Sequence, residues 1–379
     1  MLKIPFNRPF IIGKELHYIS QSVLSGKIAG DGAFTQKCHS LLEEKFDARK
    51  ILLTTSCTAA LEMAAILFDI GPNDEVVLPP FTFVSTVNAF YLRGAKPVFV
   101  DIRPDTLNID ETKIEAVISD KTKAIVPVHY AGVASDMDEI RNIAEKYKIF
   151  VLEDAAQGVN AKYKSKYLGT LGDLGAYSFH ETKNCICGEG GAIVVNNEFF
   201  FERAEIIREK GTNRSKFFRG EVNRYTWVDI GSSYLPSDLL AAFLYAQLEQ
   251  IDRIDSRRRE FFNQYNKLLK PLADEGLLRL PVVPSYCQPC GHLFYIIVND
   301  EKTRDRLIDY LRSKEIGAVF HYLPLHRSKI GRLLGYKSGQ FPVTESLSSR
   351  LIRLPLFYDL TLEEQNLVVE SINNFFDSL

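Results

Sequence analysis

The chain is short of the features that mark secreted and membrane proteins. Six cysteines among 379 residues, at 38, 57, 185, 187, 287 and 290, are too few for a disulfide-built scaffold. No apolar run reaches the roughly 18 residues that a membrane helix needs. Charges break every apolar run of the N-terminal MLKIPFNRPFIIGKEL, so no secretory signal is read there. A cytoplasmic location with reduced thiols is the expectation. Neither sign of charge dominates: 46 Lys and Arg against 48 Asp and Glu give a net charge of −2. That balance excludes wholesale affinity for nucleic acid or for an anionic membrane. Repeats and low-complexity stretches are also missing. Cys185-x-Cys187 and Cys287-x-x-Cys290 lie roughly a hundred residues apart, with no histidine at finger spacing, so no metal site is expected.

Hydrophobic residues make up 46% of the chain, which excludes a mainly disordered one. Its length exceeds the roughly 100–200 residues of one domain. Between about residues 50 and 200, short apolar runs alternate with helix-like segments. The runs are Ile51–Leu53, Glu75–Leu78, Lys96–Val100, Ala124–Val128, Phe150–Leu152 and Ala176–Phe179. The helical segments include Ala59–Phe68, Val84–Leu92 and Met137–Tyr147. The pattern predicts an α/β domain with a mostly parallel sheet covered on both faces. Ligands bind such sheets beyond the carboxyl ends of the strands. A long helical stretch, Ser237 to about Leu269 and capped by Ser237, leads into a smaller α+β part. Leu293–Val298, a helix from about Lys302, Ala318–His321 and a last helix from Leu362 make up that part. The expected division is a large domain at 1–245 and a small one at 246–379.

Three segments carry chemistry. In Val151-Leu152-Glu153-Asp154, an apolar strand ends in an acid at a position where a ligand sits; a helix N-cap explains Asp154 equally well. In Tyr177-Ser178-Phe179-His180-Glu181-Thr182-Lys183, a lysine follows a strand and precedes the glycine-rich Gly188–Gly191. An amine there becomes a nucleophile if its pKa is lowered, although a single lysine is usually a solvated surface residue. In Thr54-Thr55-Ser56-Cys57-Thr58, hydroxyls open a helix whose N-terminus suits a phosphate, and capping alone also accounts for them. Taken together, a phosphate cradle, a strand-end aspartate and a downstream lysine are what pyridoxal 5'-phosphate requires.

The order and wording of these segments resemble sugar-nucleotide aminotransferases of the DegT/StrS type, in fold type I of the pyridoxal phosphate enzymes. The resemblance runs through SCTAALEMAAI, DEVVLPPFTFVSTVNAF, GAKPVFVDI, VPVHYAG, VLEDAAQG, YSFHETKN, GEGGA and FHYLPLH. It implies a large, mostly parallel sheet domain with a smaller α+β C-terminal domain. It implies Lys183 as the Schiff-base lysine and Asp154 as the partner of the pyridinium nitrogen. Gln157 then sits beside the ring hydroxyl, Phe83 stacks on the ring, and Cys57, Thr58 and Ser178 touch the phosphate. Ser233 stands where many members have an asparagine that reaches across a homodimer to the phosphate. Arg219, Arg224 and Tyr225 lie in a basic, aromatic stretch suited to a nucleotide diphosphate. His321 and His326 lie in the segment that the family places near the sugar, and a structural role for each is an equal alternative.

The likeness is greatest to the 4-aminotransferases of enterobacterial common antigen and related lipopolysaccharide synthesis. It implies transfer from L-glutamate to dTDP-4-dehydro-6-deoxy-D-glucose. The products would be dTDP-4-amino-4,6-dideoxy-D-galactose and 2-oxoglutarate. The gluco product, a 3-keto substrate and a non-catalytic sensor on the same scaffold are the alternatives. Sugar dehydratases of this fold carry histidine in place of the lysine, and Lys183 argues against them.

Overall fold

The computed structural model describes residues 2–378. Its strands, in chain order, are β1 (Ile51–Thr54), β2 (Glu75–Leu78), β3 (Lys96–Phe99), β4 (Thr122–Ile125), β5 (Phe150–Asp154), β6 (Lys162–Tyr163), β7 (Lys166–Tyr167), β8 (Leu174–Ser178), β9 (Gly191–Val195), β10 (Leu278–Arg279), β11 (Cys287–Gln288), β12 (Phe294–Val298) and β13 (Leu351–Leu354). Seven of them form the central sheet in the order β1-β9-β8-β5-β4-β2-β3. Only β9 runs against the other six. The sequence reading did not pick out β9 as a strand, and its antiparallel course leaves the carboxyl ends of the remaining six on one edge.

Strand residues alternate between two cores because side chains on a strand point to opposite faces. Leu53, Val77, Ile125 and Val151 enter one core, closed by the helices Ala33–Phe46, Met137–Tyr147 and Asp238–Leu248. Leu52, Val76, Ala124 and Leu152 enter the other, closed by the helix Cys57–Leu67. Burial on both faces explains why these strands read as unbroken apolar runs rather than as alternating ones.

The long helical stretch is two helices, Asp238–Leu248 and Ile251–Asp274, broken at Gln250, whose backbone leaves the helical region. Ser237 caps the first: its Oγ accepts from the Leu240 amide at 3.4 Å. The second continues through Pro271 to Asp274 because the proline lies in its last turn, and Leu269 and Leu272 remain in the core on either side of it. We propose this break as the junction of the two units, close to the 245/246 division expected from sequence.

The smaller sheet has the order β10-β12-β13. One face packs on the helices Ile251–Asp274, Glu301–Ser313 and Leu362–Asp377, and Ile4 joins that core. The other face turns Tyr295, Ile297 and Leu351 toward Phe81, Ile102 and Tyr130 of the large unit. Ala318–His321 contributes only an isolated bridge, Val319 to Arg353, and β13 takes the strand position beside β12.

Glu153, fully buried in β5, fixes the edge where the site forms. Its carboxylate accepts from the amides of Gly169 (2.8 Å), Leu171 (2.6 Å) and Gly172 (2.7 Å). His129 Nε2 lies 2.9 Å from it, while His129 Nδ1 accepts from the Ser135 amide, so the Nε2–H donates to Glu153. Glu153→Ala strands these buried donors and should lower unfolding stability by about 3 kcal/mol or more, read from denaturant melts.

Candidate active site

A cavity of about 480 Å3 opens at the carboxyl ends of β1, β5 and β8 and is completed by the small unit. Asp154 ends β5 and is 5% exposed. Its Oδ2 accepts from the Thr86 hydroxyl at 2.7 Å and its Oδ1 from the Ala156 amide at 3.1 Å. Thr86 in turn shares a hydrogen bond with Thr82 at 2.8 Å. The two donors replace water around a carboxyl group that is nearly buried.

Lys183 lies on the loop between β8 and β9. That loop is pinned by the pairs Phe179 N to Gly190 O, Cys187 N to Phe179 O and Glu181 N to Gly188 O. Across from it, Ser56 caps the helix Cys57–Leu67 by accepting from the Ala59 amide at 3.1 Å. This N-terminus approaches β9 closely because residue 191 is glycine: a Cβ there would stand 2.4 Å from the Cys57 nitrogen. The helix start, Asp154 and Lys183 thus crowd one volume. Burial pushes the Cys57 thiol well up, Asp154 adds to that and Lys183 opposes it.

Gln157 is oriented from both ends. Its Oε1 accepts from the Ala131 amide at 2.7 Å, and its Nε2 donates to the Tyr322 hydroxyl at 3.1 Å. Phe83 is 55% exposed at the cavity mouth, with its ring 6.1 Å from that of Tyr322. Thr58 donates to Ser85 at 2.8 Å. Burial and the Arg353 guanidinium push the His321 imidazole down to about 4, so it is neutral at pH 7. His292 is likewise pushed well down, by burial first and then by Lys183, Arg258 and Arg353.

Eight of the residues singled out in the sequence line this cavity: Cys57, Thr58, Phe83, Asp154, Gln157, Ser178, Lys183 and His321. The others lie elsewhere. His326 is fully buried, 3.0 Å from Glu345 and packed on Phe341, away from the cavity. Ser233 and Arg219 line a separate surface hollow, where Arg219 donates to Glu205 and Glu221. Arg224 and Tyr225 are exposed on the same arm, with Tyr225 against Phe217. The sequence reading missed Thr86, Tyr322, His292 and Arg353. Thr86 and Tyr322 lie inside quoted motifs, and their partners across the fold show their part. His292 and Arg353 carry no local signal. Among the described residues no group of three potential metal ligands assembles, and all six cysteines are free.

The sequence model of the DegT/DnrJ/EryC1/StrS aminotransferases matches residues 9–373. The chain belongs to that family. An uncharacterized protein of Methanocaldococcus jannaschii is 35% identical to this aminotransferase, over 98% of the chain and 96% of the relative. The spore coat polysaccharide biosynthesis protein SpsC of Bacillus subtilis is 32% identical over the same shares. A putative sugar aminotransferase, Spr1654 of Streptococcus pneumoniae, is 25% identical. In its PLP form it superimposes with a TM-score of 0.91, covering 99% of each chain. It is also known in a PMP form, with a TM-score of 0.93. The fold is that of the fold type I aminotransferases, and the cofactor is pyridoxal 5'-phosphate. The cavity fits it: a lysine amine for its aldehyde, a buried carboxylate to accept from its ring N–H and a helix N-terminus for its phosphate meet there. No helix among the described residues is long and apolar enough to cross a membrane.

Proposed function

We propose that this aminotransferase moves the amino group of L-glutamate to carbon 4 of dTDP-4-dehydro-6-deoxy-D-glucose, giving dTDP-4-amino-4,6-dideoxy-D-galactose and 2-oxoglutarate. The observation that carries the reading is the meeting of Lys183 and Asp154 in one cavity at the strand ends. The likeness to a spore coat polysaccharide protein and to a putative sugar aminotransferase supports a sugar as acceptor. The choice of nucleotide, carbon and stereochemistry rests on the resemblance of the quoted motifs.

Lys183 holds the cofactor covalently through its amine. Cys57, Thr58 and Ser178 hold the phosphate at the helix start, and Phe83 covers the ring. Bound there, the cofactor supplies an electron sink for the carbon that loses its proton. Asp154 keeps the ring nitrogen protonated, and Thr86 fixes the direction of its carboxylate. Gln157 stands beside the ring hydroxyl, held by Ala131 and Tyr322. Once freed, the Lys183 amine would carry the proton from the α-carbon of glutamate to the cofactor, and in the return half it would carry one from the cofactor to carbon 4 of the sugar.

We further propose a homodimer. Phe83, Val84, Leu92, Trp227 and Ile230 are exposed apolar side chains. Ser233, Arg219 and Tyr225, which lie outside their own cavity, would reach a partner's site, with the arginine and tyrosine toward the diphosphate. Sedimentation should give twice the 43.0 kDa of the chain, and a monomer would remove this assignment.

Lys183→Ala should end turnover and covalent retention of the cofactor after borohydride reduction, with an unchanged melting profile; normal turnover would sink the scheme. Asp154→Asn keeps the side-chain shape but loses the charge, and kcat should fall on the order of 100-fold or more. The deciding assay follows the visible absorbance of the cofactor. L-glutamate should remove the band, the keto-sugar nucleotide should restore it, and NMR of the product reads the carbon and its configuration. A band that answers to glutamate but not to this sugar would discard the substrate.

A further inference from the structure

Three buried polar side chains next to the cavity have no part in the reaction so far: Asp255, Asn184 and His292. Asp255 lies on the helix Ile251–Asp274 and is wholly buried. Its Oδ2 accepts from the Asn160 side-chain amide at 2.7 Å and its Oδ1 from that of Asn184 at 2.7 Å. Burial pushes its carboxyl up to about 6, so it is still ionised at pH 7. The same Asn184 Nδ2 donates to the Cys290 carbonyl at 2.9 Å. A carboxylate and a carbonyl only accept, so Asn184 Nδ2 must face them and its Oδ1 must face away. There Oδ1 stands 3.1 Å from Nδ1 of His292, which burial keeps neutral. An amide oxygen only accepts, so the ring proton sits on Nδ1, and Nε2 is left with a bare lone pair.

His292 has little freedom. Arg258 donates to its carbonyl at 2.6 Å and to that of Gly291 at 3.1 Å. Residue 291 has a φ of +69°, and a Cβ there would stand 2.8 Å from the Arg259 nitrogen, so the backbone before His292 lies directly on the helix. His292 lines the cavity that holds Lys183, and its Nε2 has no partner among the described residues. Asn184 follows Lys183 in the chain, so the bond that sets the ring starts from the lysine's own loop. The Lys183 charge is felt at His292, second only to burial in keeping it neutral. An acceptor without a donor and an amine with donors to give thus share one cavity.

We propose that His292 accepts, through Nε2, a hydrogen bond from the Lys183 amine once that amine is freed, and that Asn184 and Asp255 are positioning residues that hold the ring in the tautomer able to do so. This rests on the reading of Lys183 given above and supplies a partner for its free state. One N–H held by His292 restricts the swing of a long, flexible side chain and shortens its search for the carbon that loses its proton.

The test uses protein loaded with pyridoxamine 5'-phosphate, in which Lys183 carries no cofactor. Cyanate carbamoylates the uncharged amine, and mass spectrometry of the Lys183 peptide follows its rate against pH. Asparagine at 292 keeps a donor for Asn184 but ends short of Nε2, while glutamine puts an acceptor near the Nε2 position. His292→Asn should lower the midpoint for Lys183 by about one pH unit, because the ammonium loses a hydrogen bond. In single turnovers with L-glutamate it should also slow the reaction on the order of 10-fold, with KM little changed. His292→Gln should bring the midpoint and the rate most of the way back. Asn184→Leu leaves the ring without its guide and should cost about as much as His292→Asn, and the double variant no more than either alone. A midpoint and rate unmoved by His292→Asn, or an asparagine variant that outperforms the glutamine one, would overturn the proposal. Additive losses in the double variant would overturn the positioning role. Where Asn184→Leu does not fold, or cyanate does not reach Lys183, the single-turnover rates of the two His292 variants decide. A Lys183→Ala protein that still retains the cofactor covalently would defeat the lysine reading and this proposal with it. An unmoved midpoint in protein whose cofactor is held by Lys183 would defeat this proposal alone.

Discussion

Two adjacent buried carboxylates in β5 constrain most of what surrounds them. A carboxylate out of water persists only where donors replace its hydration. Glu153 and Asp154 point to opposite faces of the strand, so each must find its own donors. Glu153 takes three loop amides and His129, which ties the 169–172 turn to the strand and the segment after β4 to both. Asp154 takes Thr86, which draws the segment after β2 over the same edge. The walls of the cavity are therefore set by the donors that two buried carboxyl groups require.

The small unit finishes what the sheet begins. Its own core lies on one face of β12, and the other face brings Tyr295 and Ile297 against Tyr130 and Phe81. That contact carries Arg353 and Tyr322 to the cavity. A site shared between two units can change its access as they shift, which suits an aminotransferase that must admit an amino donor and then a sugar.

Much of the fold was legible because a strand buried on both faces leaves an unbroken apolar run, and β1, β2 and β5 read that way. β9 was less so: it opens inside the glycine-rich GEGGA segment, whose Gly191 is demanded by the close approach to Cys57. The two-helix break at Gln250 was missed because apolar spacing continues across it. At the site, Asp154 ends β5, Cys57 opens a helix and Lys183 lies on the loop after β8, and only the three together pointed to one ligand in the sequence. His326 shares its motif with His321, yet the chain buries it and pairs it with the half-buried Glu345.

The sequence by itself determined the elements with local causes: apolar periods, the Ser56 and Ser237 caps, and the acid and lysine placed after strands. Only the tertiary structure decided which polar groups face one another. Thr86 meets Asp154 across 68 positions, and Arg353 meets Tyr130 across 223. Pairings at such separation leave no periodic trace in the chain, because what selects them is the cost of burying a polar group without its partner.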